Sequence, residues 1–251
     1  MKRLFYAFLA CLLLCGCSRQ TKPAQIAATT LPVYEFTSRL CEGTGLTVTR
    51  LVTEEVSCLH DYSLNVRQVK AAEAAGTIVI SGAGLEAFME DILVGADTID
   101  ASAGIPLIEP EEHHHGHGEE EHEDHHHHEE DPHIWLSPVH AATMAENICA
   151  GLRNRYPNHQ SQFETNLAAL QQELEELNTY GLTQLEDLSC RDLITFHDGF
   201  TYFAESFDLH ILEAVEEESG SEASARELIH LIEEAEHHGL PAIFTEKSGS
   251  V

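Results

Sequence analysis

The chain has 251 residues, 43% of them hydrophobic, with 13 basic and 43 acidic side chains and a net charge of −30. That length accommodates one large domain or two lobes with separate cores. So acidic a surface repels nucleic acid and anionic lipid headgroups, and its natural partners are cations.

The N-terminus, MKRLFYAFLACLLLCGCSRQ, places Lys2 and Arg3 before an apolar run of eleven residues from Leu4 to Leu14. A bilayer span takes about twenty residues, so the segment reads as a secretory signal. Leu14-Cys15-Gly16-Cys17 resembles a bacterial lipobox, with Cys17 the residue that is lipidated. The mature chain is then exported and held by acyl chains on the outer face of the bacterial cytoplasmic membrane, or in the periplasm. The lipid anchor is its only expected membrane contact. An exported setting permits disulfides, but Cys41, Cys58, Cys149 and Cys190 are widely spaced and dictate no pairing.

Beyond the tether, strand and helix alternate. Strands are expected at 24–30, 46–52, 77–81 and 105–109, with helices at 33–42, 63–75 and 84–94. This is the signature of a parallel sheet in an α/β lobe. Ser137-Pro138 is an N-cap and first-turn pair that opens a helix to Tyr156. A single long helical pattern then runs from His159 to Leu188, with Phe163, Leu167, Leu170, Leu174 and Leu177 on one face and Gly181 as its weak point. At 1.5 Å per residue it spans about 40 Å, enough to join two lobes.

The alternation resumes with strand 191–196, a helix, strand 209–215, helix 224–238 and strand 241–246. The chain stops at KSGSV where another helix is due, which reads as truncation of the second lobe. The expected division is signal and anchor at 1–17, an N-terminal α/β lobe at 18–157, a spine helix at 158–188 and an incomplete C-terminal α/β lobe at 189–251.

Between the fourth expected strand and Ser137 lies an acidic histidine-rich insertion, 110–131. It carries His113, His114, His115, His117, His122, His125, His126, His127 and His128, interleaved with Glu and Asp. Such a composition cannot build a packed core. Imidazole and carboxylate capture borderline divalent metals, zinc above all. The insertion therefore reads as an accessory loop that binds several zinc ions weakly.

Open α/β sheets bind ligands at the carboxyl ends of their strands. His60 follows strand 46–52, His133 follows strand 105–109 and the insertion, and His197 follows strand 191–196. Asp61, Asp131 and Asp198 lie within two residues of these histidines. Such carboxylates fix the tautomer of a ligating imidazole, and at a strand-to-helix turn they equally serve as N-caps. His140, His159, His210, His230, His237 and His238 fall on or beside helices and strands and read as structural or exposed.

Four stretches now carry a resemblance: LHDYSL at 59–64, GAGLEAFME at 82–90, DPHIWLSP at 131–138 and TFHDGFTYFAESF at 195–207. With the lipobox at Cys17 and in this order, the chain resembles the metal-binding solute-binding lipoproteins of ABC transporters, of the high-affinity zinc (ZnuA-like) type. The resemblance implies two parallel-sheet (β/α) lobes joined by a long spine helix, with metal in the interlobe cleft. It implies metal-ligand roles for His60, His133 and His197. Manganese-type relatives carry a carboxylate at the third position, so histidine there points to Zn2+, and three neutral imidazoles suit zinc.

The implied role is capture of Zn2+ and its delivery to a membrane permease driven by an ATPase, with no catalysis. Leu59 stands where some zinc-type members have a glutamate. The family's acidic fourth position falls beyond residue 251, so the fourth ligand is a water or lies outside this chain, with Glu246 a weaker choice. A surface zinc buffer or adhesin is the alternative reading. A zinc hydrolase would need a general base, and outside the histidine-rich insertion, where HEDHH at 122–126 fits the spacing, the sequence has no HExxH motif to supply one. With an ordinary histidine pKa of about 6.5, capture is expected to weaken below about pH 6.

Overall fold

The computed structural model describes residues 24–54, 59, 62–108, 130–216, 225–240 and 243. The signal segment with Cys17, His60, the loop histidines from His113 to His128, and nearly all of expected strand 241–246 lie outside the described residues.

Four short strands, β1 (Ile26–Ala28), β2 (Val48–Arg50), β3 (Thr77–Ile80) and β4 (Thr98–Asp100), form a parallel sheet in the order β2-β1-β3-β4. The central β1 is wholly buried, as a strand covered on both faces must be. Helix α1 (Leu31–Leu40) begins with Pro32 in its first turn, where the missing N–H costs nothing. Helix α2 (Val66–Ala74) starts later than the apolar pattern at 63 suggests, because Asn65 closes a capping box with Gln68. The Asn65 side chain accepts the N–H groups of Arg67 and Gln68 at 2.9 and 3.1 Å, and Gln68 Oε1 accepts the Asn65 N–H at 2.8 Å. The pattern at 84–94 resolves into a 3₁₀ turn, Ala87–Met89, and a single-turn α3 (Glu90–Leu93).

The fourth strand is not where the sequence placed it. It is Thr98–Asp100, paired with β3 in the register Ile78↔Thr98 to Ile80↔Asp100, and residues 105–108 lie outside any ladder. Pro106 has no N–H to give a neighbouring strand, and the Ile108 N–H is taken by the Tyr202 hydroxyl at 3.0 Å. His133 therefore does not follow a strand end. It precedes the 3₁₀ turn Ile134–Leu136 at the mouth of the next helix.

That helix, α4 (Pro138–Arg155), is capped by Ser137 and buries Ala141, Met144, Ala145, Ile148, Cys149 and Leu152. After a 3₁₀ turn at Pro157–His159 comes α5 (Gln160–Leu185), whose 26 residues span about 39 Å. Phe163, Leu170 and Leu174 are buried, but Leu177 is 53% exposed, so the apolar stripe leaves the first core one turn early. Asn166 Nδ2 ties α5 to α1 by donating to the carbonyls of Leu40 and Glu42 at 2.8 and 2.9 Å. Arg39 also pairs in two-pronged fashion with Glu173.

The far end of α5 belongs to a second core. Gly181 is a notch in the helix, since a β-carbon there would lie 2.3 Å from Phe207 Cε1. Phe207 packs with Ala204, Leu209 and Leu185 beside it. Strands β5 (Asp192–His197) and β6 (His210–Glu216) pair in parallel, with α6 (Thr201–Ser206) between them and α7 (Ala225–His238) after them. Arg191 closes the joint. Its guanidinium donates to the carbonyls of Leu185 and Glu186 at the end of α5, at 3.2 and 3.1 Å, and to those of Phe207 and Asp208 at 3.1 and 3.0 Å.

Candidate metal centre

Strand β5 ends on His197, and the turn before α4 presents His133 to it. The two Nε2 atoms are 3.1 Å apart, with the rings edge-on at a centroid distance of 4.9 Å and an angle of 81°. The His133 side chain is 12% exposed, that of Asp131 11%, and His197 8%, so the pair is largely withdrawn from water.

Asp131 stands behind His133. Its Oδ1 lies 2.7 Å from His133 Nδ1 and accepts the His133 backbone N–H at 2.9 Å. A carboxylate only accepts, so Nδ1 carries the proton and the Nε2 lone pair faces His197. Trp135 packs edge-on against His133, with centroids 5.2 Å apart. Gly199 forms the floor, since a β-carbon there would meet both imidazoles.

Two nitrogen lone pairs this close repel unless a proton or a cation lies between them. A tetrahedral ion with bonds of about 2.0–2.1 Å holds its ligand nitrogens about 3.3 Å apart. The His133–His197 spacing is thus preset near the value for such an ion, with the outer carboxylate already in place. Among the described residues no group of three or more His, Cys, Asp or Glu is assembled to hold a metal.

Of the three histidines singled out in the sequence, His133 and His197 are brought together, and His60 lies outside the described residues. Asp131 is the partner of His133, while Asp198 is exposed just past β5. Sequence reasoning missed Gly199 and Tyr202, although both sit in the stretch quoted around His197. Tyr202 is buried on α6, accepts the Ile108 N–H and donates to the Asp131 carbonyl at 2.9 Å. Burial pushes its hydroxyl above the ordinary tyrosine value, and Asp131, Glu130 and Glu205 add to this against the Ile108 hydrogen bond. His140 lies edge-on to Tyr202 at 5.3 Å, and burial lowers its pKa against the opposing pull of Glu205.

The remaining described histidines are peripheral. His210 and His238 flank Asp192 at 3.4 and 3.2 Å, and His230 approaches Glu213 at 3.5 Å. Partly exposed pairs of this kind contribute about 0–1 kcal/mol.

A second buried acid occupies the switch point of the first sheet, between the carboxyl ends of β1 and β3. Glu86 is 4% exposed and accepts the Thr29 hydroxyl at 2.5 Å and the N–H groups of Ser81 and Gly82 at 2.7 and 3.0 Å. Burial raises its pKa to about 7 against the pull of those three hydrogen bonds. The crevice where open α/β sheets usually take a ligand is here filled by the chain's own carboxyl group.

Comparison with known proteins agrees with this architecture. The family model described as zinc-uptake complex component A, periplasmic (ZnuA) matches residues 26–250. The zinc-binding lipoprotein AdcA of Streptococcus pneumoniae is 31% identical over 257 residues, covering 98% of this chain and 50% of the relative. The chain thus spans about half the length of that relative. A crystal structure of ZnuA superposes with a TM-score of 0.76 at 30% identity, over 90% of this chain and 84% of that one. The Zn(II)-bound ZnuA-like domain of S. pneumoniae AdcA gives 0.74 at 27% identity, over 90% and 80%. An α/β fold with a parallel sheet and one long crossing helix, matched to this family model over nearly its whole length, means that the chain belongs to the ZnuA family of zinc-uptake components.

Proposed function

We propose that this chain is the exported zinc-binding component of an ABC transporter. It captures Zn2+ through His60, His133 and His197 and hands it to a membrane permease driven by a cytoplasmic ATPase. The observation that carries this reading is the His133–His197 pair, with Nε2 atoms 3.1 Å apart and Asp131 fixing the tautomer of His133. Further support comes from the names of similar proteins: AdcA is a zinc-binding lipoprotein, and the superposed AdcA domain is Zn(II)-bound.

The arrangement that serves this function is an N-terminal lobe at 18–157, a spine helix at 158–188 and a C-terminal lobe at 189–251. Cys17 carries the lipid that anchors the exported chain. The insertion 110–131 gathers zinc weakly beside the cleft. Only metal–ligand bonds form and break, and no substrate is chemically changed, so the protein acts by binding and release and not as an enzyme.

Competition for zinc against a fluorescent chelator tests the reading. One tight site per chain is expected, retained when residues 111–130 are removed and weakened at least about 100-fold by His197→Ala, as loss of a direct ligand exceeds loss of an outer partner. Equal affinity in His197→Ala, or tight zinc that disappears with the insertion, would overturn it.

A further inference from the structure

We propose that Tyr202 is a positioning residue whose hydroxyl clasps both ends of the histidine-rich insertion and so sets Asp131, which orients His133. This rests on the metal reading given above.

Ile108 and Asp131 stand at the two ends of the insertion, yet the Asp131 N–H donates to the Ile108 carbonyl at 3.0 Å. The Tyr202 hydroxyl completes the closure by accepting the Ile108 N–H at 3.0 Å and donating to the Asp131 carbonyl at 2.9 Å. One hydroxyl thereby uses its donor and an acceptor position on the two ends of one neck.

Asp131 is engaged at three points: its N–H by Ile108, its carbonyl by Tyr202, and its Oδ1 by His133. Its Oδ2 is buried with no hydrogen-bond partner among the described residues. The carboxylate is therefore steered by how its backbone is held. Burial and the nearby acids keep the Tyr202 hydroxyl protonated and able to donate.

The clasp also gives both imidazoles one reference. Tyr202 lies five residues after His197 in the same strand-to-helix segment. His197 is placed by that segment directly, and His133 through Tyr202 and Asp131. The need for a clasp follows from the length of the insertion. Twenty-two residues separate Ile108 from Asp131, and the entropy cost of holding two ends together rises with the length of chain between them. Tyr202 bonds both ends, so Asp131 keeps its place behind His133.

The test is a cycle of four full-length chains: the parent, Tyr202→Phe, a chain lacking residues 112–127, and the two changes combined. Phenylalanine keeps the ring and its contact with His140 but removes both hydrogen bonds. Tyr202→Phe is expected to weaken zinc about tenfold, the scale of lost outer-shell partners, and to alter the visible d–d bands of the Co(II)-loaded protein. The melting temperature of the metal-free chain is expected to fall by only a few degrees, because the ring stays packed and the cost is that of the two lost hydrogen bonds. In the shortened chain the connection from Ile108 to Asp131 costs less to close, so the same substitution is expected to cost less than about threefold.

Unchanged affinity and Co(II) bands in Tyr202→Phe overturn the proposal, as does an equal loss in both backgrounds. If Tyr202→Phe does not fold, the combined variant decides: folding with near-parental affinity supports the clasp, and failure there overturns it. A parent with no tight zinc site overturns the zinc reading and the clasp together. A parent that binds tightly beside an unaffected Tyr202→Phe overturns the clasp alone.

Discussion

Gly199 lies against His133 so closely that a β-carbon built on it would be 2.9 Å from His133 Cε1 and 3.0 Å from its Nδ1. The same β-carbon would be 3.0 Å from His197 Cδ2, so one glycine makes room for both rings. Gly199→Ala is expected to push the imidazoles apart by a few tenths of an ångström. Against a tolerance of about 0.2 Å in metal–ligand distances, that shift weakens zinc about tenfold. The metal-free melting temperature changes little, because the atoms that give way are side-chain ends. Chelator competition and a thermal melt on the same sample check this, and full affinity in Gly199→Ala would show slack in the pair.

Gly181 plays the corresponding part in packing. An added methyl would sit 2.3 Å from Phe207 Cε1 and 2.5 Å from its Cζ. Alanine favours helix over glycine by about 1 kcal/mol, yet Gly181→Ala is expected to destabilise, because overpacking of this kind costs about 1–3 kcal/mol. Adding Phe207→Leu should recover part of the loss. Urea unfolding of both single variants and the double variant measures the coupling, and a stabilised Gly181→Ala would mean that Phe207 moves freely aside.

Glu86 predicts an acid-favouring stability term. Its folded pKa of about 7 exceeds the ordinary 4.5, so the folded state holds the proton more tightly. The contribution is fully present below pH 4.5 and is lost as pH rises through 7. A gap of about 2.5 pH units corresponds to about 3 kcal/mol. The urea midpoint should therefore fall between pH 5 and pH 8 by more in the parent than in Glu86→Gln. The glutamine variant is expected to be less stable than the parent at pH 5, because its amide has one oxygen and sets an NH2 donor against a donor that the carboxyl group accepts. Parallel pH profiles would remove Glu86 from the account.

The cysteines differ in reactivity. Burial raises the Cys41 thiol to about 12 and also raises that of buried Cys149, whereas Cys190 is half-exposed. The thiolate is the reactive form. Brief treatment with a thiol reagent at pH 8, followed by peptide mapping, should label Cys190 and leave Cys41 and Cys149 unmodified until the chain unfolds. Early labelling of Cys41 would contradict its place in the first core.

Much of this fold could be read from the chain because its signals are local. Ser137-Pro138 announced α4, and the spacing of Phe163, Leu170 and Leu174 announced the long helix. The fourth strand was misplaced because Thr98–Asp100 offers only one fully apolar residue, while Ile105 to Ile108 looked like a buried run. The capping box at Asn65 was as local as Ser137 and was overlooked in favour of the apolar pattern. Of the site, His133 and His197 were legible by residue type and place. Tyr202 and Gly199 were not, because their parts consist of contacts across the two sheets, which sequence spacing does not encode. Glu86 was visible within GLEAFME, but its burial depends on Thr29, Ser81 and Gly82, which chain distance hides.

The joint at Arg191 makes a lever of β5. It locks the end of α5 and the turn at Phe207 and Asp208 to the start of the strand, and His197 is at the strand's other end. At about 3.3 Å per residue the arm from Asp192 to His197 is about 17 Å long. A tilt of one degree at the joint therefore carries His197 about 0.3 Å. That is a tenth of its 3.1 Å separation from His133. The gap between the two rings measures the angle between the halves of the molecule, and anything that tilts one half slightly will open or close it.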